Sequence, residues 1–235
     1  MLPLRDVGMQ RMTPPVVNVI LIAANVLMFL FELSLGGRLN AFVMSAAFVP
    51  ARYTGGGSLL GELAPSLSAA LVSMFLHGGW GHLLGNMLFL WIFGDNVEDR
   101  LGHVRYLVFY LLSGFAATFA HLWASPGSTV PAVGASGAIS GVLGAYLFLH
   151  PQARIQTLLI LGFFIRLIYV PAWVFLPFWF LMQLLSGAAS LGARTTAETG
   201  GVAWFAHIGG FVAGPILLFL LGGGRRPPRQ PEPLY

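Results

Sequence analysis

The chain has no cysteine and no lysine, and only 9% of its 235 residues are charged. The missing cysteines exclude disulfides, thiolate metal ligands and thiol nucleophiles, and leave the redox compartment undecided. The missing lysines make all twelve basic residues arginines, against eight acids, for a formal net charge of +4. Ordinary soluble domains carry about 25% charged residues. A soluble globule with 57% hydrophobic residues would keep a largely apolar surface and aggregate. The composition therefore defines a membrane protein, and one domain suits this length. The small net charge, placed as described next, is not a nucleic-acid footprint.

Segments that cross, or nearly cross, a ~30 Å hydrocarbon layer are Val16–Leu35, His82–Val97, Tyr106–Trp123, Ser136–Leu149, Pro171–Leu185 and Val202–Leu221. Two more stretches are ambiguous: Ala69–Leu76 is short, and Ile155–Val170 is interrupted by Arg166. Val16–Leu35 is too long for a signal-peptide core and lacks a small-residue cleavage site, so it reads as a retained span. With six spans and the N-terminus inside, the inner segments hold Arg5, Arg11, Arg100, Arg105, Arg154, Arg166, Arg225, Arg226 and Arg229. The outer ones hold only Arg38, Arg52 and Arg194, which is the positive-inside asymmetry.

The expected fold is an all-α polytopic bundle of six transmembrane helices over 16–221. Residues 1–15 form a cytoplasmic N-terminal segment and 222–235 a disordered cytoplasmic tail. The long connection Gly36–Gly81 is too apolar for a solvated loop, and reads as short amphipathic helices in the outer interface. Compact size and short tails suggest a bacterial inner membrane, with both termini cytoplasmic, and an organelle membrane is the alternative.

Polar residues inside spans are expensive and mark candidate sites. Three clusters qualify: His77 to Asn86, with His82 and Asn86 four apart on one helical face; Gly134-Ala-Ser136-Gly137; and Ala206-His207-Ile-Gly-Gly210. Spans two, four and six all begin at the outer face, so His82, Ser136 and His207 share a depth. Counting Ile155–Val170 as a span would send His207 to the opposite leaflet from Ser136, so six is the consistent count. A serine on the first turn of a helix has free N–H groups and the positive dipole end beside it. A neutral histidine in reach could take its proton and return it to a leaving amine. His82 and Asn86 offer donors for an oxyanion. None of the eight acids lies in span four or six, which favours a Ser–His dyad over a triad.

Bland readings exist for each group. Gly137, Gly141, Gly210 and Gly214 fit the small-residue spacing that packs membrane helices, and a lone histidine or asparagine can be interhelical polar glue. His103, His121 and His150 fit no cluster and read as interfacial or packing residues. The 19 Phe and 6 Trp read as lipid-facing surface and interfacial belt.

Taken together, Gly-Ala-Ser136-Gly, His77-x4-His82-x3-Asn86 and Ala-His207-x-Gly-Gly resemble the rhomboid family. Asp95-Asn-Val-Glu98-Asp-Arg100-Leu-Gly102 resembles its Glu-x-Arg element. The likeness runs from about Pro14 to Leu221. It implies a six-helix intramembrane serine protease acting on transmembrane protein substrates near the outer face, in contact with membrane lipid. Ser136 would be nucleophile and His207 base, His82 and Asn86 would line the oxyanion site, and no metal or cofactor would be needed. His77 would be structural. There are two departures. The Trp-Arg pair often found in the family's first outer loop is missing, and Ser140 stands where an aromatic often backs the histidine. Trp173, Phe175 and Trp204 are alternative supports. A catalytically silent relative acting as scaffold or chaperone for transmembrane helices is the rival reading; a transporter is another, though the spans show no inverted repeat.

Overall fold

The computed structural model describes residues 1–9, 12–54, 59–191 and 203–223, and there the chain is mostly helical. The helices are α1 (Val16–Ser34), α2 (Leu39–Ala46), α3 (Leu59–Ser73), α4 (Trp80–Leu101), α5 (His103–Ala124), α6 (Ser136–Leu149), α7 (Ala172–Leu191) and α8 (Trp204–Leu220). Of these α1, α5 and α7 are long and apolar enough to cross a membrane unaided, while α6 and α8 are apolar but shorter. The expected tail 222–235 falls largely outside the described residues.

The all-α expectation needs correction. Strands β1 (Leu2–Val7), β2 (Arg154–Leu161) and β3 (Phe164–Pro171) form one antiparallel sheet in the order β1-β2-β3. The ambiguous stretch 155–170 is thus a β-hairpin rather than a helix. Its two arms carry four isoleucines with Thr157, Tyr169 and Val170, residue types that suit a pleated surface. Gly162, at φ 58°, opens the two-residue turn closed by the Leu161–Phe164 pair.

α6 is the centre of the bundle, buried from Gly137 to Tyr146. It is apolar all round, as a helix enclosed by others must be. Glycines let its neighbours come to backbone contact. A Cβ on Gly210 would collide with the carbonyl of Gly137, one on Gly214 with that of Gly141, and one on Gly144 with that of Phe211. On the α5 side, Gly141 leaves room for Ser113, and Gly137 for Ala117. Van der Waals packing of this kind is what holds helices together in lipid.

Glu98 and Arg100, near the C-terminal end of α4, tie neighbouring helix ends together. Glu98 accepts the N–H groups of Val17 (2.9 Å) and Asn18 (2.7 Å), and Asp99 accepts those of Met12 (3.1 Å) and Thr13 (2.8 Å). Glu98 thus serves orphan donors at the start of α1, whose own N-cap is Pro15 without a side-chain cap, while Asp99 fixes the segment leading into it. Arg100 Nε donates to the Gly223 carbonyl at 2.6 Å, beyond α8. Within the span, Asn18 accepts from the Tyr106 hydroxyl (2.8 Å) and donates to the Leu90 carbonyl (3.0 Å), so its amide is satisfied inside the protein.

The connection 36–81 contains the helices α2 and α3. It is anchored without a Trp-Arg pair. The Phe48 N–H donates to Ser73 Oγ (2.7 Å), and the Ala132 N–H donates to the Phe48 carbonyl (2.8 Å). The Phe48 ring is buried and stacks on Tyr53 at 4.8 Å.

These contacts predict opposite outcomes for two glycines. Gly210→Ala should lower stability by ~1–3 kcal/mol through overpacking. Gly85→Ala, where a Cβ meets nothing within 4 Å on a helix, should be neutral or slightly stabilising. Unfolding in mixed detergent micelles reads both.

Candidate active site

Ser136 is the first residue of α6, and Ala135 is the N-cap. The first N–H groups of a helix have no partner within it and sit at its positive end. Gly134 approaches with φ 124°, a backbone region that favours glycine. Its N–H donates to the Ser73 carbonyl at 2.9 Å, fixing the turn. Ser140, one turn on, donates its hydroxyl to the Ser136 carbonyl at 2.6 Å. It therefore supports the helix rather than the histidine.

His207 lies in the first turn of α8 and is buried. Its Nε2 is 2.7 Å from Ser136 Oγ, and its Nδ1 is 2.8 Å from Gln183 Oε1 on α7. An amide oxygen can only accept, so Nδ1 carries the proton. Nε2 then offers its lone pair, and the Ser136 hydroxyl donates to it. Two rings flank the imidazole: Trp179 at 6.1 Å and Trp204 at 6.0 Å, the latter edge-on. Of the three aromatics weighed from sequence, Trp204 is the one in ring contact among the described residues; Trp173 is exposed and Phe175 belongs to the core.

Gln183 is the residue that sequence reasoning missed, because the search for a third member was confined to acids. Its signal was available: one amide in the otherwise apolar run Phe178–Leu185, where any polar side chain asks for an explanation.

His82 and Asn86 stand one turn apart near the start of α4. His82 Nδ1 accepts the Gly78 N–H at 3.4 Å, which leaves Nε2–H as a donor. The Cβ that Gly134 lacks would lie 2.7 Å from His82 Nε2 and 3.5 Å from Ser136 Oγ. The space over Gly134 is therefore bounded by both groups. Asn86 is buried and donates through Nδ2 to His77 Nε2 at 3.1 Å. His77 Nδ1 in turn donates to the Phe75 carbonyl at 3.1 Å, and Glu32 at the outer end of α1 accepts the His77 backbone N–H. Thus α1 holds His77, and His77 orients Asn86.

The geometry sets Ser136 against His207 at the N-terminal ends of α6 and α8, with His82 of α4 beside Gly134 and Asn86 one turn further along α4, bonded to His77. A partly exposed hydroxyl meets a neutral imidazole acceptor, with further N–H donors close by. That arrangement defines a mostly helical membrane protein with the elements of an acyl-transfer site. A family model for the rhomboid domain matches residues 65–224, and the chain belongs to the rhomboid family. It is 34% identical over 146 residues to rhomboid protein 1, mitochondrial, of Saccharomyces cerevisiae, covering 60% of this chain and 38% of that one. It is 35% identical over 122 residues to rhomboid protease GluP of Bacillus subtilis, covering 52% and 23%. With rhomboid-like protein 11, chloroplastic, of Arabidopsis thaliana it shares 27% identity over 165 residues, covering 67% and 53%. The chain thus matches between about a quarter and about half of the length of these relatives, which come from organelles as well as from a bacterium.

The tautomer assignment is directly testable. Nitrogen NMR of histidine-labelled protein should show His207 with Nδ1 protonated and Nε2 bare at neutral pH. Gln183→Leu should abolish that preference and, by leaving a buried N–H unpaired, lower stability by ~1–3 kcal/mol. A protonated Nε2 in the unmodified protein would contradict the assignment.

Proposed function

We propose that the chain is an intramembrane serine endopeptidase that hydrolyses peptide bonds of transmembrane substrate proteins near the outer membrane face. The observation that carries the reading is the 2.7 Å contact between Ser136 Oγ and His207 Nε2, in the orientation a general base needs. In this reading six helices, α1 and α4 to α8, cross the membrane, and 16–221 is the membrane domain. Residues 1–15 and 222–235 lie on the inner side, which for a bacterial inner membrane is the cytoplasm. Arginine placement supports that orientation.

His207 takes the proton of Ser136 as Oγ attacks the substrate carbonyl carbon. The carbonyl oxygen becomes an oxyanion over Gly134, where His82 Nε2–H, the second N–H of Asn86 and the first N–H groups of α6 stabilise it. The C–N bond then breaks, and His207 returns the proton to the departing amine. Water, deprotonated by the same imidazole, hydrolyses the acyl-enzyme and frees the acid. Gln183 acts through His207 as a positioning residue: it holds the ring and its tautomer. A substrate helix must unwind to offer its carbonyl, so cut sites should lie beside small residues with Gly or Pro nearby.

The test is cleavage of a single-span substrate by purified protein in liposomes. Ser136→Ala and His207→Ala should abolish cleavage while remaining folded, and His82→Ala or Asn86→Ala should each lower kcat by ~10²–10³. If the mutants cut like the parent, the site is misassigned. If the parent binds transmembrane helices but cuts none, a silent helix-binding scaffold is the better reading.

Gln183→Leu provides a split prediction. Substrate meets Ser136 and the oxyanion donors rather than Gln183, so losing the tether should lower kcat with KM little changed. An unchanged kcat in Gln183→Leu would sink the positioning role.

A further inference from the structure

The β1–β2–β3 sheet has no part in the site, yet its two faces differ sharply. Cross-strand partners share a face. One row aligns Leu2, Leu158 and Leu167, the next pairs Ile160 with Ile165, and Phe163 stands fully exposed at the turn. Toward the helices the same face becomes polar: Arg5 Nε donates to Gln156 Oε1 at 2.8 Å, and Gln156 Nε2 donates to the Tyr169 hydroxyl at 3.3 Å. The opposite face packs inward through the buried Ile155, Thr157 and Val170. The outward face is therefore apolar at its free end and basic and amphipathic at its root. In water such a face with exposed edges would invite aggregation.

Three observations say what covers it. First, the sheet sits at the level where α4 turns from apolar to charged. Leu4 and Arg5 line one hollow with Trp91, Asp95 and Asn96, and Asp6 accepts from Asn96 Nδ2 (2.8 Å) and the Tyr146 hydroxyl (3.0 Å). Second, β3 ends at Pro171 and α7, a helix apolar and long enough to span, begins at the next residue. Its exposed Trp173, Val174 and Phe178 extend the same kind of surface, as does exposed Trp91 on α4. Third, Arg5 and Arg154 are exposed near the root of the sheet, with Tyr169 beside them. Arginine and tyrosine in this position anchor a protein at lipid headgroups.

We propose that this sheet is a monotopic membrane element. Its free end, with Phe163, Ile165 and Leu167, lies among the acyl chains of the inner leaflet, while Arg5, Arg154 and Tyr169 sit at phosphate level. The partner is lipid, and the protein thereby fixes its depth and tilt on the inner side by a β-hairpin rather than by a helix. The inference stands apart from the protease reading: it needs the membrane-spanning helices but none of the catalytic assignments.

The absence of cysteine in the chain makes the test clean. Single variants Phe163→Cys, Ile165→Cys, Arg166→Cys and Leu167→Cys are spin-labelled and placed in phosphatidylethanolamine–phosphatidylglycerol vesicles. The expected result is an oxygen-to-nickel accessibility ratio several-fold higher at 163, 165 and 167 than at 166, whose side chain leaves the other face. Three high nickel accessibilities at 163, 165 and 167 would place the hairpin in water and overturn the proposal. Low access to both reagents would overturn it too, because protein would then cover the face; spectral broadening that grows with protein-to-lipid ratio would identify a second copy. Retained protease or helix-binding behaviour in each variant, and an unchanged unfolding midpoint, exclude misfolding as the source of any result.

Discussion

Helices in a bilayer gain nothing from leaving lipid for one another, so their association rests on close packing and on polar contacts. Here the closest packing is between α6 and α8, where Gly137, Gly141 and Gly144 face Gly210, Phe211 and Gly214 with backbone against backbone. The candidate chemistry depends on that seam. Ser136 and His207 each lie within the first turn of their helix, at the outer end of the glycine contact. A methyl group at position 210 would force α8 off the Gly137 carbonyl. His207 lies less than one turn away on the same helix, so it would be drawn from Ser136, and a 2.7 Å hydrogen bond weakens with such a shift. The small residues are thus both the packing device that a bland reading supposes and the reason a reactive pair can form.

Around this seam the polar groups are arranged so that one fixes the next. Glu32 on α1 holds the His77 backbone, His77 holds Asn86 through one ring nitrogen and the Phe75 carbonyl through the other. The route makes the first span part of the outer site although it contributes no group to the chemistry. At the inner end, Glu98, Asp99 and Arg100 serve the ends of α1 and α8. Groups left unpaired at these depths would have no water to turn to, so positioning and satisfaction are met by the same bonds.

Composition and arginine placement made the membrane class legible, and the polar clusters made Ser136, His207, His82 and Asn86 legible, because polar side chains in apolar runs stand out. The hairpin was not legible in the same way. Ile155–Val170 is apolar on both faces, so it lacks the period-two alternation that identifies a strand. Only the Gly162 turn and the Ile-rich arms hinted at it. Gln183 was overlooked for a chemical reason: a search for charge passes over an amide, and spacing alone does not reveal that α7 brings it to the far side of His207.

A glutamine in that place is an intelligible choice for a base set among membrane helices. A carboxylate would hold the same tautomer and stabilise the imidazolium, but burying its charge carries a large desolvation penalty unless further partners surround it. The amide gives orientation without charge. In the proposed mechanism, proton transfer from Ser136 creates an imidazolium and an oxyanion side by side, each compensating the other, while His82 Nε2–H and the start of α6 add donors on the oxyanion side. The tether also links α7 to the base: Gln183 reaches His207 across the interface between α7 and α8, so a displacement of α7 large enough to break a 2.8 Å contact would release the imidazole from its working tautomer. In this arrangement the position of α7 and the tautomer of His207 are two expressions of one hydrogen bond.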